Sequence, residues 1–223
     1  MAGTITALKV QKRNRNRVNV YLDERFAFGL ASHLVVPLRR GQFLSDKEIA
    51  HLKKEDEFQQ AYERITKLIA HRPRSEAEVR RRMERQGVTP DLAERVIERL
   101  ATVGLLNDAE FARLWVENRE TFRPRSRHML RYELRQKGLD EEVIAQALQQ
   151  VDEKESAHRL ALQQGRRLSR LDWPAFRRKL TGYLARRGYP YEITRDAVRE
   201  AWQSVSESDF DTLDNHDERE DEE

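Results

Sequence analysis

The chain contains no cysteine. Disulfide cross-links, thiol nucleophiles and cysteine-based zinc sites are thereby excluded, and packing and hydrogen bonds alone must hold the fold. Glycine and proline are sparse, at nine and six in 223 residues, so each is a candidate boundary between elements. Long apolar runs are missing too. No eighteen consecutive apolar residues occur, and the N-terminus has no apolar core of signal-peptide length, which reads as a cytoplasmic chain without membrane contact. Neither GxxxxGK[ST] nor GxGxxG is present, and His33, His51, His71, His128, His158 and His216 never take a two-histidine metal spacing on one helix. The sequence therefore predicts no metal site, no cofactor and no enzyme. Asp140, Glu141 and Glu142 are the carboxylates a metal-dependent nuclease would use, but acids in a first helical turn are what the helix dipole favours, and they read as helix chemistry.

Acidic charge is scarce in most of the chain and crowded at its end. Residues 203–223 hold ten of the 39 acidic residues and, in Arg219, one of the 42 basic ones. The remaining body carries 41 bases against 29 acids, a net charge of +12 beneath an overall +3. So basic a body suggests an anionic partner, nucleic acid or an acidic protein face, and the acidic end reads as a disordered tail.

What the sequence does contain is a repeat. Pro73, Pro124 and Pro174 each lie fourteen residues before a glycine, Gly87, Gly138 and Gly188, so one unit recurs every 50 or 51 residues. Within it the pairs Val79/Met83, Leu130/Leu134 and Leu180/Leu184 are apolar at i,i+4, one buried helical stripe per copy. The first two copies share Arg-Pro-Arg-Ser, at Arg72 to Ser75 and Arg123 to Ser126, where proline stops one helix and serine caps the next. Ahead of the repeat the period changes. Leu8, Val10, Val18, Val20, Leu22, Phe26, Phe28 and Leu30 fall on even numbers, the period of strands, with turns at Lys12 to Asn16 and at Asp23-Glu24. The segment Leu34, Val35, Val36 and Leu38, and then a long helix capped by Ser45 and Glu48, are the expected cover.

The fold class follows: mainly α, three tandem three-helix modules forming a curved, elongated array with a shared core, preceded by a small N-terminal antiparallel β segment. The expected divisions are 1–44 for the β-meander and its cover, 45–104, 105–151 and 152–203 for the modules, and 204–223 for the tail. Helices are expected at about 45–70, 75–86 and 90–103, at 107 onward, 126–136 and 140–150, and in three further stretches whose apolar patterns begin at Ala157, Phe176 and Ile193, the first of them interrupted by Gly165.

Arginine is the candidate binding residue, because its planar fork grips phosphate or carboxylate with two donors. Arg81 and Arg85, Arg131 and Arg135, and Arg178 and Arg186 fall beside the inward stripe of successive copies, with Arg123, Arg125 and Lys137 near them, and this set is expected to meet a partner. The basic loop with Lys12, Arg13, Arg15 and Arg17 is the candidate phosphate contact for nucleic acid. Trp115, Tyr132, Tyr183 and Trp202 read first as core and second as a base-stacking platform.

Several runs resemble one family. Arg-Pro-Arg-Ser-Glu-Ala-Glu-Val from Arg72, Gly-Leu-Leu-Asn-Asp-Ala-Glu-Phe-Ala from Gly104 to Ala112, Trp115-Val116 with Arg119, and Glu133-Leu134-Arg135-Gln136-Lys137-Gly138 look like the RecX family of recombination regulators. The likeness is closest over about Ala61 to Leu148, and Asn19-Val20-Tyr21-Leu22-Asp23 resembles an N-terminal extension that some members carry. The resemblance implies a non-enzymatic protein of tandem three-helix repeats; separately, the chain is expected to be a monomer. Such a protein binds the RecA recombinase, above all its filament on single-stranded DNA, and restrains strand exchange and ATP hydrolysis. The alternative from another class is a helical-repeat protein that binds nucleic acid directly.

Overall fold

The structure, a computed structural model, describes the backbone of residues 1–217 and side chains as far as residue 206. It forms two compact units, Met1–Leu106 and a second from Asn107 onward.

In the first unit, β1 (Gly3–Val10), β2 (Arg17–Leu22) and β3 (Arg25–Ala31) make the antiparallel meander that the period of two predicts. A two-residue strand β4 (Phe43–Leu44), not expected from the pattern, pairs with β1 and gives the order β3-β2-β1-β4. Asp23 and Glu24 both take positive φ, 46° and 68°, the geometry of a two-residue hairpin turn that matches strand twist. Neighbours offset the strain: Thr4 N donates to Asp23 Oδ1 at 3.0 Å, and Glu24 N to Thr6 Oγ1 at 3.0 Å.

Val18, Val20, Leu22, Phe28 and Leu30 are buried, as even numbering demands, but Phe26 is 60% exposed and the buried large side chain of β1 is Ile5. Register shifts between Ile5 and Ala7 and between Val20 and Tyr21 cause both exceptions, since a bulge moves the residues beyond it to the opposite face. Phe26 thus lands opposite Tyr21, edge to face at 6.0 Å. Val10, at the open end of β1, is also exposed.

The cover is a short helix α1 (Ser32–Val35), with Leu38 beside it, and the 26-residue α2 (Asp46–His71). Val36, expected in the cover, is instead 82% exposed. Ser45 and Glu48 form the reciprocal capping box that their spacing predicts. Helix α2 serves two cores: Ile49 and Leu52 pack under the sheet, whereas Ala61, Ile65, Leu68 and Ile69 pack with α3 (Glu76–Glu84) and α4 (Pro90–Thr102). Between the two stands buried Asp56, whose carboxylate accepts from Arg17 Nη1 and Nη2 at 3.1 and 2.9 Å, Ala31 N at 2.7 Å and Gln60 Nε2 at 2.7 Å. Removing one partner of a buried, fully bonded pair leaves an uncompensated charge, so this carboxylate ties α2 to β2 and β3.

The second unit contains α5 (Asp108–Phe122), α6 (Arg127–Gln136) and α7 (Glu141–Leu148), then α8 (Glu153–Gly165), a 3₁₀ turn (Arg166–Leu168), α9 (Trp173–Ala185) and α10 (Tyr191–Asp217). Gly165, the last residue of α8, keeps helical backbone angles and lies against Phe176 and Ala201, where an added Cβ would stand 3.3 and 3.4 Å away. The repeat's inner pairs behave alike in every copy: Val79, Met83, Leu130, Leu134, Leu180 and Leu184 are all fully buried. Gly87, Gly138 and Gly188 have φ of 73°, 82° and 84°. The residue after each donates back to the second buried residue, Val88 N to Met83 O, Leu139 N to Leu134 O and Tyr189 N to Leu184 O, which is helix closure through a left-handed glycine.

Pro174, unlike Pro73 and Pro124, sits inside the first turn of its helix, α9, where Asp172 is the cap, so that helix begins a turn earlier in the repeat. Two expectations need correction. The modules do not share one core: separate buried clusters form around Val79 and Met83, around Leu130 and Leu134, and around Leu180 and Leu184. Three stripes per module are enough to close a core locally. The last helix does not stop near residue 203, since α10 continues to Asp217. No glycine or proline interrupts residues 203–217, and extending a nucleated helix is easier than starting one. The rest of the acidic tail, residues 218–223, lies outside the described residues.

Two predictions follow from the inner stripe and its glycines. Leu134→Asp buries an unpaired carboxylate at a cost of several kcal/mol, comparable with a domain's whole stability; circular dichroism should show the second module unfolded, and unchanged cooperative melting would remove Leu134 from the core. Gly87→Ala should cost about 1–2 kcal/mol for its left-handed backbone alone, because nothing lies within 4 Å of its added Cβ. Gly188→Ala should cost more, because its Cβ would meet Met129 Cγ at 2.4 Å and Ser126 Oγ at 2.6 Å. Equal melting shifts for the two glycine variants would show that the contact at Gly188 does not constrain the fold.

Candidate partner-binding surface

Within the second unit, the second and third modules meet through polar groups. Ser126 N donates to Arg187 O at 3.1 Å and Arg127 N to Glu153 Oε1 at 3.0 Å, while Arg127 Nε closes the second module itself on Val151 O at 2.9 Å. Deeper in, the buried Ser156 hydroxyl lies 3.0 Å from Tyr189 OH and 3.3 Å from Glu120 Oε1. Burial pushes the Glu120 carboxyl above the usual carboxylate range and the Tyr189 hydroxyl up to about 12, because desolvation penalises the charged form. Arg159 answers Glu120 from the solvent side, with Nη2 3.3 Å from its carbonyl and 3.6 Å from its carboxylate.

Above this junction opens a cleft of about 740 Å³ between the end of α5, α8 and α9. Arg123, Arg159, Arg166 and Arg187 line it together with His158, against the carboxylates of Glu120 and Glu155. Phe122, 74% exposed, stands at its edge. Arg187 lies over the Tyr183 ring with its guanidinium carbon 3.7 Å from the centroid. Such a cleft can take carboxylates or phosphates in two-pronged geometry. Arg159, Arg166 and Arg187 were not among the residues singled out from sequence. The available signal was density: residues 163–190 hold eight Arg or Lys and one acid, Asp172.

The other expected contacts are dispersed. Arg131 and Arg135 share Glu141, the first at 3.2 Å from Nε without hydrogen-bond geometry, the second at 2.7 Å with it; Arg135 in turn holds the Glu141 carboxyl below its usual range. Arg125 lies 3.4 Å from Glu133, which also takes Arg119 Nε at 2.6 Å and Trp115 Nε1 at 2.9 Å. Lys137 stands over the Trp115 ring at 4.7 Å and Arg119 at 4.4 Å. Trp115, Arg119, Glu133 and Lys137, separate in the sequence, therefore form one cation-π and ion-pair cluster. Arg81 and Arg85 are exposed on α3, with Arg85 Nε donating to the Arg81 carbonyl, and Arg178 and Arg186 are exposed on α9 and at its end.

In the basic loop Lys12, Arg13 and Arg15 are exposed, but Arg17 is bound to Asp56 and leaves the candidate set. All but one of the four aromatics follow the first reading, core packing, and the second reading, a stacking platform, does not assemble. Trp115 is stacked on Phe111 at 5.9 Å, Trp202 is packed on Phe176 at 4.9 Å, and Tyr183 lies under Arg187; of the four, Tyr132 is exposed. Asp140 is the N-cap position of α7 and Glu141 and Glu142 its first turn, as the dipole argument has it. No group of three potential metal ligands occurs among the described residues.

Four family models match the chain in order: the regulatory protein RecX N-terminal domain over residues 3–39, and the first, second and third RecX three-helix domains over 61–100, 107–148 and 152–198. Regulatory protein RecX of Clostridium perfringens strain SM101 is 30% identical over 204 residues, covering 88% of this chain and 95% of the relative. That of Amycolatopsis mediterranei strain U-32 is 39% identical over 158 residues, 68% of this chain and 90% of the relative. Two crystal structures share the fold: a regulatory protein RecX at TM-score 0.66 and 23% identity, covering 91% of this chain and 93% of that one, and RecX from Lactobacillus salivarius at 0.58 and 21%, covering 66% and 97%. With the strand-forming domain and all three helical modules matched in sequence order, the chain belongs to the RecX family of regulatory proteins.

Proposed function

We propose that this protein is a non-enzymatic regulator that binds the RecA recombinase, chiefly its filament on single-stranded DNA, and restrains ATP hydrolysis and strand exchange. It acts as a monomer in the cytoplasm. Family membership supports the regulatory role, and the resemblance supplies the recombinase as partner. The observation that carries the contact is the cleft between the second and third modules, where four arginines from α8, α9 and the segments beside them converge on one opening. A filament presents the same acidic protein face or phosphate at every repeat, and a convergent arginine cluster meets such a face better than scattered single cations do.

Arg123 and Arg166 are exposed and have no ion-pair partner among the described residues, so both can be reversed without breaking a contact of the fold. Arg123→Glu with Arg166→Glu should leave far-ultraviolet dichroism unchanged and weaken co-sedimentation with recombinase filaments several-fold at low salt. The difference should shrink as the Debye length falls from about 10 Å at 0.1 M to 3 Å at 1 M. Parent-like binding at low salt, together with a large loss on reversing Arg81, Arg131 and Arg135, would move the contact surface away from the cleft.

Glu120→Gln should act in the opposite direction. Its raised pKa means that the ionised form is disfavoured in the folded state. Stability tied to that group is present below the unfolded pKa and is lost as pH rises through the folded one. At pH 7 the glutamine variant should melt higher than the parent, converge with it below pH 4, and hold filaments more tightly. A lower melting temperature at neutral pH would show that the Arg159 pair outweighs burial.

A further inference from the structure

The first and second modules correspond residue for residue at an offset of 51, the spacing of Gly87 and Gly138. Their interiors agree. Ala61 and Ala112, Ile65 and Val116, Val79 and Leu130, and Met83 and Leu134 are all buried, and Ser75 and Ser126 cap equivalent helices. Matched interiors put the residues between them at matched places on the helix surfaces.

At one such place the two modules carry opposite charge. In the second, Glu133 is the acid on which its neighbours converge, with Arg119 Nε and Trp115 Nε1 donating at 2.6 and 2.9 Å and Arg125 Nε 3.4 Å away. In the first, Arg82 stands where Glu133 does, Arg64 where Trp115 does, Arg74 where Arg125 does, and Leu68 where Arg119 does. Three arginines and no acid hold the corresponding positions. Glu78, on the same helix as Arg82, accepts from both Nη atoms of Arg72 at 3.1 and 3.0 Å. Arg64, Arg74 and Arg82 have no ion-pair partner among the described residues, and Arg64 and Arg82 are exposed.

Arg74 shows what the missing acid leaves behind. Its Nε is shut off from water and has no hydrogen-bond partner, and a buried donor without a partner carries a desolvation cost that a ligand can recover. Burial and the like charge of Arg72 lower the Arg74 pKa, Glu78 opposes the shift, and Arg82 adds to it. The guanidinium therefore sits among like charges.

We infer that Arg64, Arg74 and Arg82 form a seat for the carboxylate of an acidic side chain on a protein partner, which supplies from outside the acid that Glu133 supplies from within in the second module. Guanidinium forks match a flat anion with two oxygens. Leu68, partly buried, replaces a further cation by apolar surface suited to the methylene stem of such a side chain. The seat belongs to the first unit and shares no residue with the cleft of the second.

The test is fluorescence anisotropy of a labelled peptide bearing a Glu-Asp tract in a Gly-Ser spacer, with the full chain at low salt and no recombinase. A Gln-Asn twin of the peptide is the control. Arg82→Glu restores the acid of the second module, so it should abolish binding while circular dichroism stays unchanged and the melting temperature stays equal or rises. Arg64→Gln with Arg82→Gln should weaken binding roughly tenfold, through two exposed charge contacts of up to several-fold each. Arg39→Gln with Arg40→Gln removes the same charge from exposed positions elsewhere in the first unit and should change binding little. An equal loss in that pair would reduce the effect to general attraction by a basic body and overturn the seat. So would parent-like affinity in Arg82→Glu, or a Gln-Asn peptide that binds as well as the acidic one. Oligo(dT) that binds with the same sensitivity to Arg82→Glu, where the acidic peptide does not bind, would give the positions to phosphate and overturn the carboxylate assignment. With no recombinase present, failure here is separate from failure of the cleft variants Arg123→Glu and Arg166→Glu.

Discussion

Each helical module depends on one local constraint: the chain must reverse through a left-handed glycine at the point where the residue four positions earlier is sealed from water. Met83, Leu134 and Leu184 are fully buried and also accept the backbone bond that closes their helix. A side chain at the glycine would strain the turn, and a polar group at the buried position would lose hydration with nothing in return. Packing and chain reversal are thus fixed by the same few residues. For this reason a chain without disulfides and with little glycine can repeat a fold of about fifty residues three times and close a core in each.

Because every module seals its own apolar stripe, the join between the second and third is made largely by polar bonds, Ser126 N to Arg187 O, Arg127 N to Glu153 and Ser156 to Glu120, beside the close approach of Gly188 to Met129. A polar join of this kind has to satisfy each buried group, and Ser156, Tyr189 and Glu120 do so in one network. Its solvent side is where arginines from different helices come together. The cleft proposed as the binding surface is therefore a product of the join: α8 and the end of α9 bring Arg159 and Arg187 to the opening that Arg123 borders at the end of α5.

The charges show how differently one residue type can be used. Arg17, Arg119 and Arg127 hold the fold through Asp56, Glu133 and the Val151 carbonyl. Arg131 and Arg135 share a single acid at the start of α7. Arg123, Arg166, Arg177 and Arg199 project into water without a counter-charge among the described residues. A net charge of +12 over the body favours an anionic partner; the pairing pattern separates the arginines that hold the fold from those left facing water.

The sequence by itself determined the class of fold, because its signals are local. A period of two made strands, a period near 3.6 made helices, Ser45, Ser75, Asn107 and Ser126 capped them, and Gly87, Gly138 and Gly188 ended them. Tertiary structure decided what depends on residues far apart in the chain. The bulges that turn Phe26 outward and Ile5 inward arise from strand register, which cross-strand bonds set and parity cannot show. Arg17 looked like its neighbours in a basic loop until folding set Asp56, 39 positions later, against it. Arg159, Arg166 and Arg187 share one opening only through a join that brings Glu120 of α5, Ser156 of α8 and Tyr189 of the turn between α9 and α10 together. Local chemistry chooses an element's type and ends, whereas the partner of a charged side chain is chosen by proximity in three dimensions.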